Sequence, residues 1–200
     1  MKKIVFTLIW ALMAVSVFAQ EQQVRFFSHR GGRMEFDENT IPAFESSYKA
    51  GYRGYETDIR MTADGKLVIL HDSNLKRTTD TEGVVEEMTE AQIRKARTNK
   101  GNKVMFLDEL MDWLDSKGDV TYVEFELKTS PVGLYPEERL REYCDKLYER
   151  VMRNKPAGAS LPGTTADCVI SSRSTRGSRC FSSQGNPAMM RQSLCAKLWE

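Results

Sequence analysis

Only two histidines occur in the chain. Each stands in a short phrase of reactive residue types, His29-Arg30-Gly31-Gly32 and His71-Asp72, with Glu56-Thr57-Asp58 between them. Histidine is the side chain best suited to moving protons near neutral pH. Two of them flanking a pair of carboxylates at alternate positions describe an acid, a base and a metal site.

These residues need rigid carriers. Val24 to Ser28 reads as a short buried strand delivering His29 at its C-terminal end. Asn39 or Thr40 then caps a helix that tolerates Pro42 in its first turn and stops at Gly51. The alternation from Tyr55 to Met61 predicts a strand with Glu56, Asp58 and Arg60 on one face and Tyr55, Thr57 and Ile59 on the other. Asp64-Gly65 is a turn signal, and Lys66 to Leu70 a second strand ending at His71. Thr89-Glu90-Ala91-Gln92 matches a capping box. Asp108 is expected to cap a helix running to Ser116, followed by a strand over Val120 to Leu127. Tyr135 to Met152 is the clearest helix, with Leu140, Tyr143, Cys144, Leu147, Tyr148, Val151 and Met152 at helical spacing. That stripe is core packing. Strands alternating with helices predict a parallel α/β architecture, and reactive residues at strand C-termini are the arrangement of a TIM-type barrel.

The first nineteen residues read differently. Lys2-Lys3, an apolar run from Ile4 to Val17, and Val17-Phe18-Ala19 form a secretory signal peptide. The run is shorter than the ~20 residues a membrane-spanning helix needs, so no stable membrane span is expected once it is removed. Export, periplasmic or secreted, is the implied localisation. With Lys2 and Lys3 gone, the 29 basic and 28 acidic residues become 27 and 28, a net charge of −1. That balance gives no electrostatic case for a nucleic-acid partner. Cysteine usage does not form a disulfide framework, since only Cys144 lies in the well-patterned part while Cys168, Cys180 and Cys195 crowd into the C-terminal stretch.

The phrases occur together in one order: His29-Arg30-Gly31-Gly32, Glu38-Asn39-Thr40, Ala43-Phe44, Gly51, Glu56-x-Asp58, Thr62-x-Asp64-Gly65, His71-Asp72, Arg77-Thr78-Thr79 and Glu126-Leu127-Lys128. In this the chain resembles the glycerophosphodiester phosphodiesterase family, whose fold is a TIM (β/α)8 barrel. The resemblance implies hydrolysis of a small-molecule glycerophosphodiester to glycerol 3-phosphate and an alcohol, with His29 and His71 as general acid and base in an order left open. It implies Glu56, Asp58 and Glu126 as ligands of a divalent cation; three hard oxygen donors suit Mg²⁺ or Ca²⁺. Arg30 and Lys128 resemble phosphate-binding groups, and arginine has the fork geometry for that task. Glu38 and Asn39 admit two readings, as the cap of the following helix or as a support for His29 and the metal.

The resemblance fades near Ser172. A TIM barrel typically takes about 250 residues, so a barrel domain over 20–172 is expected to be incomplete at its C-terminus. Asp167 to Ser172 still reads as a strand, whereas 173–200 reads as an out-of-frame or disordered tail. Alternatives therefore stay open: an inactive truncated fragment, a non-catalytic phosphodiester-binding protein, or a phospholipase acting on lipid phosphodiesters. A lipid substrate would call for an exposed apolar rim, and Met105-Phe106-Leu107 is too short to argue for one. Nothing in the sequence fixes the oligomeric state.

Overall fold

The structure, a computed structural model, describes residues 26–118 and 121–153, and by backbone alone 167–174 and 177–182. The signal-peptide reading of 1–19 and most of the tail lie outside these residues.

The chain forms β1 (Phe27–His29), α1 (Ile41–Lys49), β2 (Gly54–Met61), β3 (Leu67–Ile69), α2 (Glu90–Ile93), α3 (Leu107–Lys117), β4 (Tyr122–Leu127), α4 (Glu137–Met152), β5 (Asp167–Ser174) and β6 (Gly177–Ser182). Strands β1, β2, β4 and β5 lie side by side in chain order and all run parallel. Sequential order of parallel strands joined through helices is the winding of a TIM-type barrel, as distinct from a doubly wound sheet whose order reverses. The fold class is α/β, of the TIM-barrel type.

Two strands run the other way. β6 pairs antiparallel with β5 from Val169↔Ser182 to Ser174↔Gly177. β3 folds back on β2, with Ile59 opposite Ile69 and Met61 opposite Leu67. Asp64-Gly65 makes this reversal, as the turn signal predicts; Gly65 sits at φ 74°, a conformation side chains resist. His71 is thus delivered by the returning arm of a hairpin and not by a parallel barrel strand. One edge of β2 is shared in consequence: β1 takes Gly54 to Glu56, and β3 takes Ile59 to Met61. The other edge pairs with β4 from Gly54 to Ile59. The C-terminal ends of β1 and β3 therefore face one another across Thr57, held by Arg30 N–H to Glu56 O and Leu70 N–H to Asp58 O, both 3.0 Å.

Behind this frame lie two apolar cores. α1, α3 and α4 pack on the sheet through Phe44, Tyr55, Leu110, Trp113, Phe125, Tyr143 and Leu147. Tyr55 meets Phe44 and Trp113 edge-on at 5.7 and 5.6 Å between centroids, a favoured geometry for aromatic pairs. A second cluster of Val68, Leu75, Val85, Ile93, Val104 and Phe106 fills the excursion between β3 and α3. Met105, Phe106 and Leu107 are buried in these cores and form no rim.

The helix starts follow the expected caps in part. Thr40, one of the two expected residues, takes the N-cap position of α1, but its hydroxyl donates to Asp37 O and makes no capping bond. α3 begins after Phe106, two positions before the predicted cap Asp108, because the Glu109 carboxylate accepts from Phe106 N–H at 2.8 Å and satisfies an end amide itself. The Thr89–Gln92 capping box is formed as predicted.

Candidate active site

The carboxylates converge through register. Asp58 lies directly opposite Glu126 on adjacent parallel strands, and Glu56 sits two residues earlier on the same face. Carboxylate oxygens of Glu56, Asp58 and Glu126 all lie within 4.8 Å of one another, and the three residues are largely buried. Like charges this close in a desolvated place are costly. Burial first, and the Asp58 charge second, push the Glu56 carboxyl up to about 7.

Two cations offset part of that charge. Lys128 Nζ lies 2.6 Å from Glu126 Oε1 and 3.0 Å from Asp58 Oδ1. Arg30 Nε lies 3.1 Å from Asp58 Oδ2, and the Arg30 amide donates to Glu56 Oε2 at 3.0 Å. Both residues expected to bind phosphate are thus committed to carboxylates. Arg30 adopts φ 52° and Gly31 φ 73°, which turns the chain sharply after β1. A Cβ at Gly31 would come within 3.0 Å of the Phe44 backbone nitrogen, so only glycine fits there.

Buried oxygens in the triad remain unsatisfied. Glu56 Oε1 accepts no hydrogen bond, and Asp58 Oδ1 has the Lys128 ammonium near it but outside hydrogen-bonding geometry. With Glu56 ionised, three carboxylates against two cations leave a net charge of −1. Orphaned hard oxygens under net negative charge fit a divalent cation. Glu56, Asp58 and Glu126 are the residues that would hold it.

The histidines stand at the end of β1 and just past the end of β3, the two strands that share one edge of β2. His29, half-exposed, places Nε2 3.6 Å from Glu56 Oε2. Burial, then the charges of Arg30 and Arg33, holds its imidazole below the usual histidine range. His71 Nδ1 lies 2.5 Å from Asp72 Oδ1. Glu38 holds neither histidine: it accepts from Arg30 and from Arg77. Asn39 donates from Nδ2 to Asp58 Oδ2 at 3.0 Å and accepts at Oδ1 from Thr57 Oγ1 at 2.9 Å.

Several supporting residues escape sequence reasoning. Arg60 donates to His71 O at 2.9 and 2.8 Å, to Ser130 O at 2.8 Å and to Glu86 Oε1 at 2.7 Å. It thereby ties the loop carrying His71 to the loop after Lys128. Glu86 also accepts from Tyr135 OH at 2.6 Å. The alternation of β2 places Arg60 on the face of Glu56 and Asp58, but its partners lie far along the chain.

A parallel barrel-type sheet carrying three clustered acidic residues defines a class, the TIM-barrel proteins with a candidate acidic metal site. Comparison with known proteins names the family. The glycerophosphoryl diester phosphodiesterase family model matches residues 29–153, and the chain belongs to that family. It is 29% identical over 139 residues to a glycerophosphodiester phosphodiesterase of Bacillus altitudinis, covering 64% of this chain and 56% of that one. Over 122 residues it is 34% identical to the enzyme of that name from Caldanaerobacter subterraneus, covering 56% and 49%. The glycerophosphodiester phosphodiesterase structure from Thermotoga maritima superposes with a TM-score of 0.54 at 25% identity, over 76% of this chain and 55% of that one. A phosphodiesterase of Oleispira antarctica in complex with sn-glycerol-3-phosphate shares the fold, at 22% identity and TM-score 0.61, over 76% and 58%. The chain spans about half the length of the curated relatives it matches.

Proposed function

We propose that this protein hydrolyses glycerophosphodiesters to glycerol 3-phosphate and an alcohol. The observation that carries the reading is the convergence of β1 and β3 on one edge of β2, the strand that bears Glu56 and Asp58, with His29 at the end of β1 and His71 just past the end of β3.

A phosphodiester is anionic and its leaving alkoxide is poor, so cleavage needs charge neutralisation, a deprotonated nucleophile and a proton for the departing oxygen. Glu56, Asp58 and Glu126 would hold a divalent cation, which would supply that neutralisation and acidify the attacking oxygen. The protein's own groups do the rest. One histidine takes the proton from the attacking oxygen, and the other gives one to the leaving alcohol. Asp72 steadies the His71 ring at Nδ1 and leaves Nε2 to exchange a proton. Arg30 and Lys128 bring positive charge to the cluster, and each can turn from its carboxylate toward a phosphate oxygen. Their present partners, Asp58 and Glu126, are the groups a cation would engage.

The test is release of glycerol 3-phosphate from glycerophosphocholine by the purified chain, with and without EDTA, beside His29→Ala and His71→Ala. Turnover abolished by chelation and by each substitution is expected. Turnover that survives both substitutions would refute the reading.

A further inference from the structure

His71 and Asp58 stand at the two ends of an alternating chain of charges. Asp72 holds His71 Nδ1 with one oxygen and accepts from Arg77 Nε with the other. Arg77 Nη2 donates to Glu38 Oε1 at 2.6 Å and Nη1 to Glu38 Oε2 at 3.2 Å. Glu38 Oε1 also accepts from Arg30 Nη1 at 3.2 Å, and Arg30 Nε reaches Asp58 at 3.1 Å.

We infer that Arg77 is a positioning residue: its guanidinium, with one edge on Asp72 and the other on Glu38, holds the His71 ring in the Nδ1–H form and clamps the His71 loop to the Arg30–Asp58 side of the site. Arg77 touches neither histidine nor the carboxylate cluster, so it acts only through these two acids.

Three observations carry this. The two carboxylates come from different loops, and Glu38 is 39 positions from Arg77. Only a planar fork bridges both at once; a lysine ammonium is a single point of charge. The backbone of Arg77 is itself pinned. It ends a 3₁₀ turn, Leu75–Arg77, capped by Asn74, and its carbonyl accepts from Asn99 Nδ2 at 3.0 Å. Finally, the acids are kept ionised. Burial pushes Asp72 up, but bonds from Arg77 and His71 outweigh it and bring the carboxyl down to about 2. Glu38 is likewise raised by burial and brought below its ordinary value chiefly by Arg77. An ionised carboxylate only accepts hydrogen bonds, so the hydrogen between Asp72 and His71 belongs to Nδ1. An isolated, half-exposed ion pair contributes little stability, so the value of this fork lies in geometry. The kinetic consequence rests on the phosphodiesterase reading; the ring's hydrogen-bonded form does not.

The experiment uses the full chain with ¹⁵N-labelled histidine, where two residues give an assignable spectrum. Imidazole ¹⁵N shifts report which nitrogen carries hydrogen. The unsubstituted chain should show His71 in the Nδ1–H form; Arg77→Met should move it to a mixture with Nε2–H, leaving His29 unchanged. In turnover, Arg77→Met should lower kcat by about tenfold or more with little change in KM. Arg77→Lys should fail to restore it, and added guanidinium should partly restore it. Should Arg77→Met not fold, Glu38→Gln loosens the same fork and should move the His71 pattern in the same direction. An unaltered His71 pattern in the folded variant overturns the inference whatever the rates. A tautomer change in a chain whose unsubstituted form shows no turnover would instead overturn the phosphodiesterase reading and leave this one standing.

Discussion

Asn39 is bound to Asp58 across the floor of the site, 3.0 Å from Nδ2 to Oδ2, while its own backbone sits in the left-handed region at φ 59°. Asn39 N–H donates to Arg30 O, closing the loop that both residues bound. Its side chain also receives Thr57 Oγ1, so one amide joins the loop to both faces of β2. Asparagine is among the few residues that tolerate this backbone and still offer a donor and an acceptor.

Two substitutions separate these roles. Asn39→Gly keeps the backbone freedom but strips the buried Asp58 carboxylate of a charge-assisted bond, and should destabilise the fold by about 2 kcal/mol. Asn39→Ala adds the left-handed strain, about 1 kcal/mol more. Urea denaturation of the two variants measures both; equal stabilities would show that the backbone conformation imposes no constraint.

How far the sequence reveals this site depends on range. The strand ending at His29, the Glu56/Asp58 alternation, the Thr89 capping box and the α4 stripe are local patterns, legible because side-chain spacing alone dictates the buried face. Asn39 reads as a cap because Asn-Thr before Ile-Pro is what a helix start looks like. Its true partner, Asp58, lies 19 positions on and is met only after α1 turns the chain back. Arg60 and Glu86, 26 positions apart, and Arg77 and Glu38, 39 apart, carry no spacing signal at all. Asp72 and Arg77 do stand within the motifs, yet their pairing requires the 3₁₀ turn between them.

Asp72 makes a pH prediction. Its carboxyl is held at about 2 against an ordinary 3.8. Above 3.8 it is ionised in both folded and unfolded chains and its bonds contribute fully. As pH falls from 3.8 toward 2 the unfolded chain takes up a proton that the folded one resists, and the contribution is lost. With the side chain 28% exposed, that contribution is about 1 kcal/mol after solvent screening. The melting-temperature gap between the unsubstituted chain and Asp72→Asn should therefore narrow between pH 6 and pH 3. A gap that stays constant would exclude a depressed Asp72.

Arg60 and Glu86 form a buried pair whose parts are worth more together than alone. Arg60→Met leaves Glu86 an uncompensated charge and strips His71 O and Ser130 O of their donor, at a cost of about 3–5 kcal/mol. Glu86→Gln retains an acceptor for Tyr135 and Arg60 and should cost less. The double variant should recover at least about 1 kcal/mol relative to the sum of the singles, as contacting residues do. Additive losses in a urea double-mutant cycle would mean the two do not interact.

The carboxylate cluster and its lysine should respond in opposite directions to substitution. Each triad oxygen removed deletes a ligand, so Glu126→Gln should weaken Mg²⁺ or Ca²⁺ binding by about tenfold or more. Lys128 is the reverse case. Its ammonium already sits 2.6 and 3.0 Å from two of the three carboxylates, and a divalent cation entering there meets a like charge within a few ångströms. At an effective dielectric constant near 20 that repulsion amounts to some kcal/mol before the side chain swings away, and about 1 kcal/mol afterwards. Lys128→Met should then bind the cation several-fold more tightly while losing a group able to meet a phosphate oxygen. Calorimetric titration of both variants decides it, with melting temperature in EDTA checking that each is folded. Weaker cation binding in Lys128→Met would show that the lysine organises the carboxylates for the ion instead of competing with it.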